Sequence, residues 1–382
     1  MAEFAYNEAL HLLAVQASVE IDRILEAACP PHADPVVYLA DLGRQVLLPL
    51  GARVPAENVD GTPAGEVFTT GRPAAGSRDG YVRLWVPVTE QTARIGVLAV
   101  SLPDTSPDSV RQAELLGVFT GLAVGAIMRS SDAPRIRRQG KRMSLPASMQ
   151  WDILPPWAIR VPGALAAGIL EPAYDVAGDA FDYAFDDGIL HFAVIDGMGH
   201  GIGSTLLAGL AIGAYRHARR IGTSVAEIHA AIDRALARGY DDMSFATGII
   251  GTLAVSTGRL EWSCSGHPPP LLLRGRNTPA ELDCTPTLPF GLGSGEPGVN
   301  ALDLEPEDAV LLYTYGITEA HTLDRELFGV DRLTDLIARE SAAGHQPEEL
   351  LRRMISAVLD YQAGDLRDDL TLLLLRWTGP AA

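Results

Sequence analysis

The sequence predicts an α+β protein of two domains, and three observations carry that expectation. The chain has 382 residues, enough for two domains of ordinary size, and 47% of them are apolar, so each domain can bury a core. Short apolar runs follow one another in hairpin order, with a few helices, rather than in a strand–helix–strand alternation. Near residues 131–150 the chain turns polar and basic, in SSDAPRIRRQGKRMSLPAS, with a proline towards each end. This places a first domain at 1–132, a linker at 133–148 and a second domain at 149–380; the basic run reads as a solvated linker face.

In the first domain, Leu10, Leu13, Ala14, Ala17, Ile21, Ile24 and Leu25 recur at helical spacing, which predicts one amphipathic helix over 5–28 that stops at Cys29-Pro30-Pro31. VVYLAD and RQVLLPL read as strands around a turn at Leu42-Gly43. GTPAGEVFTTGRP is a short helix between glycines. YVRLWVPV and RIGVLAVSL are two further strands, and 107–130 is a long helix. That helix carries an apolar stripe of Leu115, Leu116, Phe119, Leu122, Ala123 and Ile127, which suits pairing with a second copy of the chain as a homodimer.

The second domain starts near Trp151. ILHFAVI (189–195) is a strand, and the small-residue run GIGSTLLAGLAIGAYRHARR is a buried helix. FATGIIGTLAV and RLEWSCSG form a hairpin around Ser256-Thr257-Gly258. PPPLLLRG and AVLLYTY add strands, 331–340 and 347–361 are helices, and LTLLLLRW is the last strand. AVLLYTY is expected to end at Tyr315-Gly316, with a helix or turn starting near Thr318-Glu319.

The formal charge of −18 argues against a binder of nucleic acid or of an anionic membrane, and it leaves carboxylates for metal ions. Cys29, Cys264 and Cys284 form no metal-binding spacing and read as separate reduced thiols of a cytoplasmic protein. The start, MAEFAYNEALHLLAVQ, lacks the basic region and cleavage site of a secretory signal. The longest apolar candidate for a membrane span, LLAGLAIGAY (206–215), falls short of the roughly 20 residues needed.

Three acidic loops carry the chemistry. VAGDAFDY holds Asp179 and Asp182; AVIDGMGHG places Asp196 at the end of a buried strand, before several glycines; RDDLTLLLL places Asp368 and Asp369 before the last strand. One Asp-Gly after a strand is ordinarily a turn. Carboxylates at the mouths of several strands of one sheet converge, and with a backbone carbonyl and waters they make an octahedral oxygen site for Mg²⁺ or Mn²⁺. Two such ions about 3.5–4 Å apart can activate a water and clamp a phosphate oxygen for in-line attack. DGMGHG lacks the Gly-Lys-Ser/Thr ending of a nucleotide-binding loop, and its glycines suit close approach to a metal or phosphate at a helix N-terminus.

The ordered series EPAYDVAGDAFDY, AVIDGMGHGIGSTLLA, FATGIIGTL, CSGHPPPLLL, LPFGLG, YTYGITEA, LFGVDRL and DDLTLLLL resembles the bacterial PPM-type serine phosphatases of the SpoIIE/RsbU-like group, over roughly residues 149–378. The resemblance implies an α/β sandwich of two antiparallel sheets flanked by helices. It also implies a two-metal Mn²⁺ or Mg²⁺ site and, as substrate, the phosphoserine or phosphothreonine of a STAS-type anti-sigma-factor antagonist. It assigns Asp179 as the first metal-site acid, Asp196 as the acid that bridges both ions, the Gly197 carbonyl as a ligand and Asp368 as the acid before the final strand; Asp179 and Asp196 are then the catalytic pair. The aspartate of the family's Thr-Asp-Gly motif falls on Tyr315, a poor ligand, so the ion at Asp368 is expected to be weakly held. VVYLADLGRQVLLPL, GTPAGEVFTTGRP and RLWVPVTEQTARIGVLAVSL resemble a GAF domain, which implies a sensor for a small effector ahead of the phosphatase.

Other residues carry plainer readings. Asp182 is either an acid that orients a water of the metal site or a solvated loop acid. Glu319 is a charge at a helix N-terminus, His200 a turn residue and His267 a structural hydrogen bonder in a Pro-fixed turn. Trp85, Tyr38 and Phe68 are core residues that could also line an effector pocket.

Overall fold

The computed structural model describes residues 6–15, 20–51, 54–78, 81–139, 142–171, 178–239, 244–275, 278–293, 295–364 and 368–380. The chain divides into two compact units, residues 1–141 and 142–382.

The first unit begins with α1 (Tyr6–Val15) and α2 (Ile21–Ala28), so the single helix expected over 5–28 is two. Glu20 is extended at the head of α2, and residues 16–19 lie outside the described residues. β1 (Val36–Ala40) and β2 (Val46–Leu50) form the expected hairpin, whose turn is held by Asp41: its carboxylate accepts from the N–H groups of Gln45 and Val46, both at 2.8 Å. β3 (Glu57–Asn58) precedes α3 (Pro63–Thr70). Thr62 caps α3 by accepting from Gly65 N–H at 3.0 Å, and Gly71 ends it in the left-handed region at φ 72°. β4 (Ala74–Arg78), β5 (Tyr81–Glu90) and β6 (Ala93–Leu102) complete an antiparallel sheet in the order β3-β2-β1-β6-β5-β4.

α4 (Pro107–Met128) covers one face of this sheet. By length and composition alone it could cross a membrane, but Ala113, Leu116, Ala123 and Val124 are buried with Val37, Leu39, Val86 and Leu98. The apolar stripe read from the sequence is therefore divided: Leu116 and Ala123 face the sheet, whereas Leu115 and Leu122, joined by Val118, are exposed.

The stretch expected to be a linker is helical in both units. α5 (Ala133–Arg138) belongs to the first unit, and its basic residues are not a free solvated face. Arg137 Nε donates to Pro49 O at 2.8 Å and Arg138 Nε to Ala40 O at 2.9 Å, which ties the run to β2 and β1. The division between units falls at 141/142, within the 133–148 stretch read as the boundary.

The second unit opens with α6 (Leu145–Ile153), capped by Ser144, and two strands that the sequence did not suggest, β7 (Ala158–Val161) and β8 (Ala164–Glu171). β9 (Asp179–Asp186) and β10 (Ile189–Gly197) form a hairpin. α7 (Ile202–Arg220) and α8 (Val225–Gly239) follow, then the hairpin of β11 (Ala246–Ala254) and β12 (Arg259–Ser265). β13 (Leu271–Leu273), β14 (Ala280–Glu281), β15 (Asn300–Asp303) and β16 (Ala309–Tyr313) come next. α9 (Tyr315–Thr318), α10 (Gly329–Ala342), α11 (Pro347–Tyr361) and β17 (Leu370–Trp377) close the unit.

The strands make two antiparallel sheets, β15-β12-β11-β10-β9 and β14-β13-β16-β17-β8-β7. Alternation along each strand builds the layers. Phe181, Phe192, Val194, Leu312, Leu373 and Leu375 point into the core between the sheets. Ala180, Ala193 and Ile195 point outward onto α7 and α8, and Tyr313, Leu372 and Leu374 point outward onto α10 and α11. The result is a four-layer sandwich with helices on both outer faces, the mixed α/β architecture expected of this half.

Cys264 and Cys284, expected as separate thiols, are joined in a disulfide with their Cα atoms 6.0 Å apart; Cys29 is free. A spacing of 20 residues carries no signal for such a pair. The approach is made by β12 and the segment after β14, which only the folded sheets bring together.

Candidate metal centre

The three acidic segments meet at one end of the sandwich. The first is not a loop at its acids: Asp179 opens β9, while residues 172–177 before it lie outside the described residues. Asp179 stands directly opposite Asp196 in the β9–β10 register, and alternation turns both towards the space between the sheets. Thr314 and Thr371, at the ends of β16 and β17, continue the inward face of the other sheet. Their hydroxyls donate to Asp179 Oδ2 at 2.7 Å and 2.6 Å. Sheet one thus supplies Asp179 and Asp196, and sheet two supplies Thr314, Thr371 and, just before β17, Asp368 and Asp369.

Asp369, read from the sequence only as the second of two acids before the last strand, is buried and holds the centre together. Its Oδ2 accepts from Gly178 N–H at 2.8 Å, Asp179 N–H at 3.1 Å and the Gln150 amide at 2.5 Å. Its Oδ1 is buried with no hydrogen-bond partner among the described residues. Gln150, Thr314 and Thr371 were missed. The two threonines were findable as inward positions of apolar strands, whereas a Gln in a helix gives no sequence signal.

The electrostatics are those of crowded acids. Burial, then Asp196 and Asp369, raise the Asp179 carboxyl well above its ordinary value, against the two threonine hydroxyls. Asp196 is pushed up to about 7 by burial, then by Asp368, Asp369 and Glu319. Asp369 is pushed up to about 6 by burial, against its three donors, and Asp368 is raised by burial and by Glu319. No Lys, Arg or His among the described residues acts on any of the four. Asp179 and Asp369 are buried, Asp196 is partly buried and Asp368 is exposed. Crowded anionic oxygens of this kind, one of them unpartnered and none offset by a basic side chain among the described residues, have the chemistry of a hard divalent-cation site. No three His, Cys, Asp or Glu side chains among the described residues close on a single liganding point.

The remaining expectations divide. The Gly197 carbonyl accepts from the Ser204 hydroxyl at 2.7 Å, so its direction is set by α7. Asp182 is neither an orienting acid nor solvated. Three residues after Asp179 it faces the other side of β9, where it is buried against Arg216 at 2.9 Å and Arg219 at 2.7 Å. Tyr315 does not end a strand: β16 stops at Tyr313, and Tyr315 heads the short helix α9 with its ring 40% exposed and edge-on to His267. His267 is buried, bonded to Thr247 at 3.0 Å and held down to about 3 by burial, as a structural residue would be. His200 sits exposed in the turn before α7. Gly316 is required where it is, because a Cβ there would lie 2.0 Å from the Asp369 carbonyl. The Tyr315 turn is therefore pressed onto the Asp368–Asp369 segment, as a ligand position would be. Glu319 follows one helical turn after Tyr315, its N–H donating to Tyr315 O at 2.8 Å.

Comparison with known proteins agrees with this geometry. Residues 186–378 match the family model of Stage II sporulation protein E (SpoIIE), a span that contains Asp196, Gly197, Tyr315 and Asp368. The phosphoserine phosphatase RsbU of Bacillus subtilis is 24% identical over 208 residues, 54% of this chain and 61% of RsbU. Protein IcfG of Synechocystis is 22% identical over 260 residues, 60% of this chain and 38% of IcfG. The crystal structure of the RsbU and RsbW domains of Rv1364c from Mycobacterium tuberculosis superposes with a TM-score of 0.50 at 29% identity, covering 58% of this chain and 62% of that one. The chain spans less than two thirds of the length of each of these relatives. With the family model matched over half its length and the two-sheet sandwich in place, the chain belongs to the SpoIIE family of PP2C-type serine/threonine phosphatases.

Proposed function

We propose that this chain is a cytoplasmic, metal-dependent protein serine/threonine phosphatase of a partner-switching pathway that controls a sigma factor. Its substrate in this reading is phosphoserine on a STAS-type anti-sigma-factor antagonist. The observation that carries the reading is the meeting of Asp179, Asp196, Asp368 and Asp369 where the two sheets end, with no Lys, Arg or His among the described residues acting on them. Similarity to a phosphoserine phosphatase, and to a chain that joins RsbU and RsbW domains, supports the reaction class and the pathway.

Asp179, Asp196, Asp368 and the Gly197 carbonyl would hold Mn²⁺ or Mg²⁺, which supplies Lewis-acid stabilisation and an activated water when bound. The chain's own part is to position and to bind. Thr314 and Thr371 fix the Asp179 carboxylate, and the first N–H groups of α7, behind Gly199 and Gly201 at φ 85° and 78°, are available to a phosphate. The first unit acts as a GAF-like sensor. Register places Tyr38 and Trp85 on one face of its sheet, opposite the face that α4 covers, as a small-effector site would require. The exposed half of α4 makes the chain a homodimer.

A second reading, favoured by Tyr315 at the position of an expected metal acid, is a weakly active or inactive scaffold that holds the same antagonist. Mn²⁺-dependent phosphate release from a phosphorylated STAS protein, compared between the wild-type chain and Asp196→Ala, separates the two. The enzyme reading expects a loss of more than about 100-fold, since even outer partners of metal sites cost about 10–100-fold. Equal rates in both proteins, with binding of the phosphorylated partner intact, would establish the scaffold.

A further inference from the structure

We propose that Gln150 is a positioning residue of the acid centre: it holds the Gly178–Asp179 backbone from both sides and so sets where the Asp179 carboxylate points. The inference rests on the metal-site reading above. Gln150 lies on α6 and is 1% exposed. Its single amide nitrogen makes two donations. One goes to Asp179 O at 2.9 Å, and the other to Asp369 Oδ2 at 2.5 Å. The same carboxylate oxygen accepts from Gly178 N–H at 2.8 Å and Asp179 N–H at 3.1 Å. The Asp179 residue is thus gripped at its carbonyl by Gln150 directly and at its N–H by Gln150 acting through Asp369.

The chemistry of this position selects an amide. The nitrogen faces two acceptors, so it must carry both N–H groups there; the flipped amide would set an oxygen against a carbonyl and a carboxylate. The other end of the side chain, Oε1, is buried with no partner among the described residues. A buried orphan acceptor is destabilising, and a Leu or Met of similar volume would avoid it. Packing alone therefore favours an apolar residue here, and the two donations to the acid centre are what the amide adds. Gly178 offers no alternative support: a Cβ there would lie 2.3 Å from Ser204 Oγ, so this stretch must be held by its backbone.

Two measurements on the full-length chain test the assignment, using Mn²⁺ alone as the probe. Without metal, Gln150→Leu should speed hydrogen–deuterium exchange in a peptide covering residues 178–182 by about tenfold, with protection in β11 and β12 unchanged. With metal, its Mn²⁺ dissociation constant, read by electron paramagnetic resonance, should weaken by about tenfold, the lower end for an outer partner of a metal site. Gln150→Met, equally without donors, serves if the Leu variant does not fold. A folded Leu or Met variant with wild-type exchange at 178–182 and wild-type Mn²⁺ affinity overturns the proposal. If the wild-type chain itself fails to bind Mn²⁺, the metal-site reading falls, and the exchange measurement still decides whether Gln150 positions Asp179.

Discussion

Tyr315 stands where the resemblance to the phosphatases leads one to expect an acid, and its surroundings say what replacing it would do. The ring is 40% exposed and meets His267 edge-on, so it is no part of a packed wall. The backbone beside it is committed, because Gly316 touches the Asp369 carbonyl and admits no side chain. Tyr315→Asp should therefore cost about 1 kcal/mol or less in stability, the range of substitutions at partly exposed sites. It should also add an anionic oxygen to the centre. Mn²⁺ affinity should rise, and kcat/KM on a phosphorylated STAS protein should rise roughly tenfold or more, each factor of ten being about 1.4 kcal/mol of transition-state stabilisation. A folded variant with unchanged metal affinity and turnover would show that the centre has moved away from this position.

At the scale of elements, α4 has two apolar faces with different work. Ala113, Leu116, Ala123 and Val124 cover the sheet of the first unit, and Phe119 packs edge-on against Tyr6. Leu115, Val118 and Leu122, at spacings of three and four, form one exposed stripe at 55%, 47% and 58% exposure. The homodimer proposed above uses this second face. Leu122→Glu leaves the sheet contacts intact, and light scattering should find that variant monomeric at tens of micromolar where the wild-type chain is dimeric. A wild-type monomer under the same conditions would remove the proposal. In the second unit, the buried Asp182–Arg216–Arg219 cluster locks α7 to β9, and Arg216 also donates to Ile153 O at 2.6 Å, which adds the end of α6 to the lock. The helix whose N-terminus faces the acid centre is thereby fixed to the strand that carries Asp179.

For the whole molecule, the acid centre ties stability to pH and to metal. Asp196 and Asp369 have folded-state values raised from 3.8 to about 7 and about 6, and Asp179 is raised as well. Between the ordinary carboxylate range and these values these acids bind more protons in the folded chain than in the unfolded one, so their contribution to stability falls as pH rises from about 4 to about 7. His229 and His267, held down to about 4 and about 3 by burial, contribute in the opposite sense below about 6.5. In the metal-free protein the melting temperature of the wild-type chain relative to Asp196→Asn should accordingly be higher at pH 5.5 than at pH 7.5. Saturating Mn²⁺, which binds the ionised acids, should raise the melting temperature at pH 7.5 more than at pH 5.5. A metal-free difference between these two proteins that is flat across this range would mean that Asp196 does not share a crowded site with the other acids.

Local patterning in the sequence determined most of the elements and the ends of strands at which the acids lie. Apolar runs bounded by turn residues marked β10, β11, β12, β16 and β17, and Asp-Gly and Asp-Asp at strand mouths marked Asp196 and Asp368. Local signals failed where an element is short or its composition ordinary, as for β7 and β8, and where only the opposing sheet defines a neighbour. Thr314 and Thr371 reach Asp179 across 135 and 192 residues, and Gln150 reaches Asp369 across 219. The Cys264–Cys284 pairing and the burial of Asp182 against two arginines are decisions of the same kind. Hydrophobic period is a property of one segment and is written in it. A hydrogen bond, an ion pair or a disulfide between segments depends on which faces the sandwich closes together, and that is settled only when both sheets and their helices have packed.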